Sequence, residues 1–430
     1  MSDSSFLQKL LDGVEVEWKV LGDIAEIYGG LTGKSKADFG IGKAKYISYK
    51  NIFSNIEVDA DQLENVRIGA SERQNSVKYG DILFTGSSEI ADESGMSSAV
   101  TVNFDGDVYL NSFCFGLRFN EGIPLMPEFS KYLFRSKFIR SEISRTASGV
   151  TRFNISKARF RAIQIPIPCP NAPDKSLDIQ AKIVQVLDDF SELTSELTSE
   201  LVARKKQYNY YRDQLLSFRD GQVAWKPLGE IGEFIRGKLF TKDDYVDKGV
   251  NVIHYGEIYT RYGVWTDRVF SQVRKDMADS LRYAEPGDVV MTGVGETVED
   301  VGKAVAWMGD GKVAIHDDSY AFRHPMNPKF ISYAMQTPRF IDEKAKHVAR
   351  GKVNRLLVNG IEKVTIPIPY PEDHDRSLAE QARIVAILDK FDILTNSISE
   401  GLPREVELRQ KQYEYYRDHL LSFPKPEATA

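Results

Sequence analysis

The chain has 430 residues, of which 42% are hydrophobic and 27% charged, and its net charge is −6 at neutral pH. This length allows two to four domains with separate cores, and the composition is that of a globular protein rather than a disordered or fibrous one. An acidic chain lacks the overall positive charge of a typical nucleic-acid binder, so any DNA contact must depend on local basic segments.

The beginning of the chain and its cysteines exclude further classes. MSDSSFLQKLLDG lacks the basic start and apolar stretch of a signal peptide, and no apolar run reaches the roughly 18 residues of a membrane span. We therefore expect a cytoplasmic protein with no membrane contact. Cys114 and Cys169 are far apart and lack CxxC spacing, which argues against a disulfide framework or a zinc cluster.

Five blocks of the first half return in the same order in the second half. YNYYRDQLLSF at 208–218 returns as YEYYRDHLLSF at 413–423, and IPIPCP at 165–170 returns as IPIPYP at 366–371. A period of about 200 residues indicates two similar domains rather than a solenoid. The other pairs are WKVLGDI (18–24) with WKPLGEI (225–231), GDILFTG (80–86) with GDVVMTG (287–293), and SLDIQAKIVQVLDDF (176–190) with SLAEQARIVAILDKF (377–391).

Short β-favouring runs separated by Gly, Asn and Asp precede each IPIP block. This pattern predicts a mixed, β-rich domain with a few helices, such as Glu128–Ser141 and Lys329–Glu343. The runs are IAEIYGG (24–30), KYISYKNI (45–52), GDILFTG and NSFCFGLRF (111–119) in the first copy, and IGEFIRG (231–237), NVIHYGEIY (251–259), GDVVMTG and KAVAWMG (303–309) in the second.

A long helix is predicted after each IPIP block, with Ser176 and Ser377 as N-caps. The first would run to about Phe218 with one apolar stripe, typical of a helix that packs lengthwise against a partner, here the helix of the other copy. Two separate helical hairpins, each buried in its own domain, remain the alternative. Gly401 and Pro403 predict a kink or break in the second helix. The stripe comprises Ile183, Leu187, Phe190, Leu193, Leu197, Leu201, Tyr208, Tyr211 and Leu215.

The start of the chain resembles the end of the first long helix, since LLDGVEVEW at 10–18 is similar to LLSFRDGQVAW at 215–225. We therefore expect the C-terminal helix end to join the N-terminal domain in a pseudo-twofold ring. The predicted fold is α+β, with two globular domains separated by two long antiparallel helices that form a coiled-coil spacer. The predicted segments are domain 1 (1–170), spacer helix 1 (171–219), domain 2 (220–371), spacer helix 2 (372–423) and a C-terminal tail (424–430).

No catalytic constellation is recognisable. GGLTGKS at 29–35 is close to a phosphate-binding P-loop, but Tyr28 stands where that pattern needs Gly. NPKF at 327–330 has Lys where the adenine-methyltransferase tetrapeptide has its second Pro. The six histidines show no metal-ligand spacing, and the triplet His-Asp-Asp at 316–318 is predicted to be a solvated turn. The sequence therefore predicts a recognition module without catalytic residues, metal or cofactor.

Two basic stretches occupy matching places in the repeat. Residues 131–161 hold nine Lys or Arg against Glu142, and residues 344–355 hold five plus His347 and no acid. Such side chains neutralise phosphates, while Arg and Asn also read base edges. Solvated basic loops and core strands remain the alternatives. The predicted DNA-binding residues are Tyr46, Ser48, Tyr49, Lys50, Asn51, Arg145, Ser148, Thr151, Arg152, Asn154, Lys157, His254, Tyr255, Glu257, Tyr259, Arg261, Lys346, Arg350, Lys352, Asn354 and Arg355.

The order of these blocks resembles that of a known family. The chain resembles the DNA-specificity subunit of type I restriction-modification systems. That family has paired variable domains, each of which opens on W-x-x-L-G-[DE]-I, contains G-D-[IV]-[LV] and closes on I-P-[IL]-P. A helix with Q-x-x-I-V-x-[IV]-L-D follows each domain. The resemblance covers residues 18–423. SELTSELTSEL at 191–201 is similar to the repeats of the type IC subgroup.

This resemblance implies a non-catalytic subunit whose two target-recognition domains each read half of a split double-stranded DNA site, with helices that fix the unread gap. It also implies binding to two methyltransferase subunits and to restriction subunits that translocate DNA. S-adenosylmethionine, ATP and Mg are then expected on those partners only. A coiled-coil adaptor without DNA readout and a stand-alone methyltransferase are the alternatives. The implied partner-binding residues, which could instead pack the helix ends, are Tyr208, Tyr211, Arg212, Tyr413, Tyr416 and Arg417.

Overall fold

The computed structural model describes residues 14–218, 223–397 and 400–425. The described residues divide into two compact units: unit 1 is formed by 14–195 with 408–425, and unit 2 by the described residues between 196 and 407. The described residues do not include LLDG at 10–13 or RDGQ at 219–222, which belong to the two similar segments compared above. They also do not include the part of the predicted tail beyond Lys425. Within the described ranges no helix is long and apolar enough to cross a membrane.

The elements of the two halves follow the same order. The first half contains β1 (Val16–Val20), α1 (Leu21–Ile24), β2 (Ala25–Gly29), β3 (Phe39–Ile47), α2 (Tyr49–Ser54), β4 (Glu64–Val66), β5 (Ile82–Thr85), β6 (Ser87–Ser88), β7 (Ser97–Ala99), β8 (Val108–Leu110), β9 (Cys114–Phe119), α3 (Pro127–Leu133), α4 (Lys137–Arg145), β10 (Ala147–Ser148), β11 (Phe153–Ile155), α5 (Lys157–Arg161), β12 (Gln164–Pro168) and α6 (Pro173–Leu216). The second half contains β13 (Val223–Pro227), α7 (Leu228–Ile231), β14 (Glu233–Arg236), β15 (Tyr245–Ile253), α8 (Tyr255–Thr260), β16 (Trp265–Thr266), β17 (Ser271–Val273), β18 (Tyr283–Ala284), β19 (Val289–Thr292), β20 (Val294–Gly295), β21 (Ala304–Trp307), β22 (Val313–Ile315), β23 (Ser319–Arg323), α9 (Pro328–Ala334), α10 (Pro338–Ala345), β24 (Asn354–Arg355), α11 (Val358–Ile361), β25 (Thr365–Pro369), α12 (His374–Asn396) and α13 (Gly401–Leu420).

Each unit contains small sheets of corresponding order. Unit 1 has sheets β2-β9-β5-β7, β4-β3-β8, β10-β11-β6 and β1-β12, and unit 2 has β14-β23-β19-β21-β16, β17-β15-β22-β18, β20-β24 and β13-β25. In both units the long strand after the first helix pairs in parallel with a later strand, β3 with β8 and β15 with β22. The predicted mixed helix and sheet content and the internal repeat are therefore confirmed.

The repeated IPIP and WKxLG blocks are the exit and entry strands of each unit. Trp18 lies opposite Pro166, and Trp225 lies opposite Pro367, in antiparallel two-stranded ribbons. Such an edge position tolerates proline, which has no N–H to donate. The Ile side chains of both blocks are buried. These blocks therefore recur because they close each domain.

The C-terminal helix end packs in unit 1, as the sequence predicts. Leu420, Leu421 and Phe423 are buried in the unit 1 core, and Nε1 of Trp18 donates to the carbonyl of Pro424 at 2.9 Å. In unit 2 the end of α6 has the same role, since Leu216 belongs to that core. Each globular unit is thus joined to the C-terminal end of one long helix.

Ser176 and Ser377 do not cap the long helices, which corrects the prediction. Helix α6 begins at Pro173 and α12 at His374, with Asp373 as the N-cap that accepts from the Arg376 N–H. Both serines are buried and accept from a glutamine one turn later at 3.0 Å. Those glutamines, Gln180 and Gln381, accept a backbone N–H of the globular domain at 2.9 Å. The Ser-x-x-x-Gln pairs therefore fasten the helices to the domains.

Two other helix predictions are wrong in their extent, and one is confirmed. Residues 128–141 and 329–343 each form two helices rather than one, since α3 ends at Leu133 and α9 at Ala334. Pro338 starts α10 in the second copy, because its ring is tolerated only in a first turn. The predicted interruption of the second long helix is confirmed, with α12 ending at Asn396 and α13 beginning at Gly401.

The apolar stripe of α6 is mostly buried near its ends, apart from Tyr211 at 40% exposed, and is partly exposed in the middle. Ile183, Leu187 and Tyr208 are at most 5% exposed, whereas Leu193 is 36% exposed. The tetrapeptide segment 191–201 is mostly solvent-exposed. The buried ends are held by the domain cores, and the coiled-coil spacer remains a prediction.

Candidate nucleic-acid interface

A β-hairpin that follows α4 carries the exposed Arg152 and lies between the exposed cations Arg145 and Lys157. This segment, called hairpin 1, comprises residues 147–155, in which β10 pairs with β11 and β11 pairs with β6. Gly149 has φ of +141°, and a Cβ there would lie 1.9 Å from the carbonyl oxygen of Arg152. The turn therefore needs glycine. Val150 at its tip is 90% exposed.

Three of the nine basic residues in this stretch are structural, which corrects the charge count. Lys131 is 7% exposed and pairs with Asp188 at 2.9 Å. Arg135 and Arg140 donate to backbone carbonyls, including Ser97 at 2.8 Å for Arg135. Buried cations are stable only when such partners surround them. The other six, at 137, 145, 152, 157, 159 and 161, are exposed.

Hairpin 1 and α2 meet at a cleft of about 490 Å³. Nε of Arg152 donates to Oγ of Ser87 at 3.0 Å, and the Tyr49 hydroxyl donates to the Ser87 carbonyl at 2.8 Å. Burial raises the pKa of Tyr49, which keeps its hydroxyl a donor. The structure therefore brings together two predicted residues from distant segments. The full lining is Tyr49, Phe53, Ser87, Ser88, Glu89, Ile90, Glu93, Asn111, Phe113 and Arg152.

The other predicted residues of the segment 46–51 have mainly internal contacts. The Tyr46 side chain is buried, and its hydroxyl donates to Glu64 at 2.6 Å. Ser48 caps α2. Asn51 is 1% exposed and bonds the backbone of Asp59 through both ends of its amide. KYISYKNI is thus a strand followed by a capped helix, and Lys50 is the exposed cation of that helix.

Unit 2 has a basic turn at the same place, called hairpin 2 and comprising residues 349–355. Ala349 bridges to Arg355, and Arg355 lies opposite Val294 of β20. Arg350, Lys352 and neighbouring Lys346 are exposed. Arg355 pairs with Asp318 at 3.4 Å, and the buried Asn354 donates to the Glu296 carbonyl at 2.8 Å. Hairpin 2 therefore presents at least three cations to solvent.

Lys344, counted in the same basic stretch, is structural. Its side chain is 1% exposed, and Nζ donates to the carbonyls of Glu299, at 2.7 Å, and Val301. Burial lowers the pKa of Lys344 to about 8. The two basic stretches thus share a buried cationic part and an exposed hairpin.

The predicted residues 254–261 lie around α8. His254 caps this helix, and burial, followed by the neighbouring His316, lowers the pKa of His254 to about 4. Glu257 is buried and accepts from Ser271 at 2.5 Å. The Tyr259 hydroxyl is 2.6 Å from Oγ1 of Thr292. Tyr255 is half-buried against His254, and their ring centroids are 4.3 Å apart. Arg261 is exposed.

The triplet 316–318 is close enough in space to suggest a metal site, with its ligand atoms within 4.8 Å of one another. Contrary to the predicted solvated turn, His316 is buried. Its Nδ1 accepts from the Asp318 N–H at 3.2 Å, and Nε2 lies 3.2 Å from the Phe240 carbonyl. Both ring nitrogens are therefore engaged within the protein, which fits a structural turn.

The predicted partner-binding residues mostly pack against their own unit. Tyr211 stacks on Phe391 with centroids 5.4 Å apart, and Tyr416 stacks on Phe190 at 4.9 Å. Tyr208 is buried with Arg212 over its ring, and Arg417 lies over Tyr413 in the same way. Tyr211 is nevertheless 40% exposed, and the most exposed tyrosines of the motif are Tyr210 at 61% and Tyr415 at 64%. Sequence reasoning missed them because a helix turns the middle tyrosine outward.

Comparison with known proteins gives one consistent result. The model of the type I restriction modification DNA specificity domain matches residues 13–204 and 222–408. The chain is 33% identical to the EcoR124I/EcoR124II specificity subunit of Escherichia coli over 100% of both chains. It is 30% identical to a putative type I specificity subunit of Haemophilus influenzae, over 98% of this chain and 99% of that one.

The fold agrees with this result. A chain from a solved structure of the type I R-M system, described for complex assembly and conformational transition, superimposes with a TM-score of 0.61 at 16% identity, over 94% of this chain and 97% of that one. The chain therefore belongs to the family of type I restriction-modification specificity subunits and is a DNA target-recognition subunit.

Proposed function

We propose that units 1 and 2 each read one half of a bipartite double-stranded DNA target, through hairpins 1 and 2. The observation that carries this proposal is the recurrence, at one place in both units, of an exposed hairpin with exposed cations: Arg152 with the flanking Arg145 and Lys157 in unit 1, and Arg350, Lys352 and Arg355 in unit 2. In each, the hairpin follows a helix, lies on a two-residue strand and precedes a short helix that leads to the IPIP strand. Segments 1–170 and 220–371 would then be the target-recognition domains.

The exposed members of the predicted set, together with the half-buried Tyr49 and Tyr255, are the proposed contacts. Exposed cations and polar groups can reach phosphates and base edges from the protein surface. The buried members, such as Tyr46, Asn51, Glu257 and Asn354, would instead hold the shape of the reading surface. The proposed contacts are Tyr49, Lys50, Arg145, Ser148, Thr151, Arg152, Asn154, Lys157, Tyr255, Arg261, Lys346, Arg350, Lys352 and Arg355.

The long helices, at 171–219 and 372–423, are proposed to set the unread gap between the half-sites. The exposed tetrapeptides at 191–201 support this role, because four residues lengthen a helix by about 6 Å while turning it only slightly past a full turn. That length is between one and two base-pair steps of roughly 3.4 Å.

The partners are proposed to be two methyltransferase subunits, with restriction subunits bound to the same assembly. The exposed tyrosines Tyr210 and Tyr415 support docking at the helix ends, since exposed aromatic side chains are enriched at interfaces. The chain itself would be non-catalytic and cytoplasmic, with S-adenosylmethionine, ATP and Mg bound by the partners. An adaptor without DNA readout would leave the exposed cations at and beside the two hairpins without a role.

Mapping adenine methylation in a host with and without this chain tests the proposal. We expect deletion of the chain to remove one bipartite motif from the methylome, while motifs of other systems persist. A methylome that loses no bipartite motif would refute it.

A further inference from the structure

The Arg152 guanidinium is held by two contacts within unit 1. Its Nε donates to Ser87, and its guanidinium carbon lies 5.6 Å from the centre of the Phe113 ring. These two contacts orient the planar group. Nη1 and Nη2 make no hydrogen bond to the described part of the chain. By contrast, Nη1 of Arg145 bonds Glu142 at 2.5 Å, although that arginine side chain is 73% exposed.

The cleft beside Arg152 is unsuited to a phosphate. Glu89 and Glu93 line it together with Arg152, and two carboxylates repel an anion. A base-pair edge that offers both acceptors and a donor fits this lining better. In the major groove a G·C pair presents the O6 and N7 acceptors of guanine and the N4 amino donor of cytosine.

We propose that Arg152 reads a guanine in the half-site of unit 1, donating from its two Nη atoms to O6 and N7, while Glu89 accepts from N4 of the paired cytosine. This inference rests on the proposed function and adds the base class and the residues that select it. Arginine with an oriented fork is the commonest bidentate reader of guanine.

The strand register makes this readout particular to unit 1. Asn154 lies opposite Ser87, and Arg355 lies opposite Val294, which is the repeat equivalent of Ser87. Val353 therefore stands in unit 2 where Arg152 stands in unit 1. Valine offers no donor, so the two units would read different bases at this place.

The test uses the complete assembly of this chain with its methyltransferase subunits. Arg152→Gln, Arg152→Lys and Glu89→Gln are compared with the wild-type chain and with the matched control Arg145→Gln. Methylation at the wild-type motif is compared with methylation at sites that differ by one base pair. We expect Arg152→Gln to reduce preference for one G·C pair, in one half only, by roughly 5- to 150-fold. Arg145→Gln should lower methylation at all sites alike.

Each outcome is decisive for one proposal. A wild-type assembly that yields no bipartite motif refutes the proposed function itself. The guanine readout alone is refuted if the wild-type assembly gives a normal motif and the Arg152→Gln variant keeps every base preference. The same conclusion follows if Arg152→Gln lowers methylation at all sites alike, as Arg145→Gln does. If Arg152→Gln abolishes methylation, the affinity of the assembly is measured by competition for the wild-type motif and for duplexes in which the G·C pair is replaced. Equal affinities of the Arg152→Gln assembly for these duplexes support the guanine readout. A ratio of affinities unchanged from the wild-type assembly overturns it.

Discussion

Replacing Asp81 by Asn should destabilise unit 1 selectively. The Asp81 carboxylate is 1% exposed and accepts from Nε and Nη2 of Arg118 at 2.7 and 2.6 Å, from the Tyr28 hydroxyl at 2.6 Å and from the Lys78 N–H at 2.8 Å. Breaking a buried ion pair costs about 3 to 5 kcal/mol. Because the Arg118 side chain is 32% exposed and can recruit water, we expect a loss of about 2 to 4 kcal/mol.

The control is the exposed pair of Asp178 and Lys182, in which Nζ of Lys182 lies 2.6 Å from Oδ2 of Asp178. Their side chains are 60% and 53% exposed, respectively. Asp178→Asn should cost at most about 0.5 kcal/mol. Hydrogen exchange followed by peptide mass spectrometry reports local unfolding free energies, with β5 and β9 as the reporters and β19 and β23 of unit 2 as the internal reference. Asp288→Asn, which removes the negative charge 2.8 Å from Nη2 of Arg323, should reverse the pattern. Equal effects of Asp81→Asn and Asp178→Asn on β5 would refute the reasoning.

Three further predictions concern unit 2 and the spacer. Lys344→Met should lower unit 2 stability by about 1 to 3 kcal/mol, because the Glu299 and Val301 carbonyls lose their donor; Lys346→Met, at an exposed position, is the control in urea denaturation. Burial lowers the pKa of His324 in the folded protein to about 4. As the pH falls from about 6.5 to 4, the unfolded chain therefore binds a proton at His324 before the folded chain does, and unit 2 should become less stable over this range. His324→Gln should flatten that profile in pH-dependent denaturation, whereas the same change at exposed His419 should not. Adding or removing one TSEL unit within 191–201 should change the gap of the methylated motif and leave both half-sites intact; an altered half-site with an unchanged gap would contradict the spacer role.

The sequence predicts those features that depend on local pattern. Turn residues and alternating apolar runs identify the strands, and Gly401 with Pro403 identifies the helix break, because backbone preference acts within a few residues. The duplication also identifies two similar domains. Repetition alone does not separate structural from functional blocks: the repeated Gly-Asp segment contains the buried Asp81 and Asp288, each paired with an arginine of its own sheet.

The candidate site is only partly predictable, because charge in a sequence does not reveal burial. Lys131, Arg135 and Lys344 read as surface cations but bond to partners that are distant along the chain. Ser176 reads as an N-cap, yet it accepts from Gln180 inside the helix. Phe113, which orients Arg152, gives no signal beyond a hydrophobic residue in a strand-like run. Tertiary packing determines each of these roles, and no local pattern encodes it.

Exchange of one globular segment tests most directly whether each unit reads half of the target. Residues 223–371 would be replaced by the aligned segment of the Escherichia coli relative, and the methylated motifs of both parents and the hybrid would be determined in the same host. The hybrid should combine one half-site from each parent and keep the gap of this chain. A hybrid motif in which both half-sites change, or neither does, would contradict the proposal that the two units read independently.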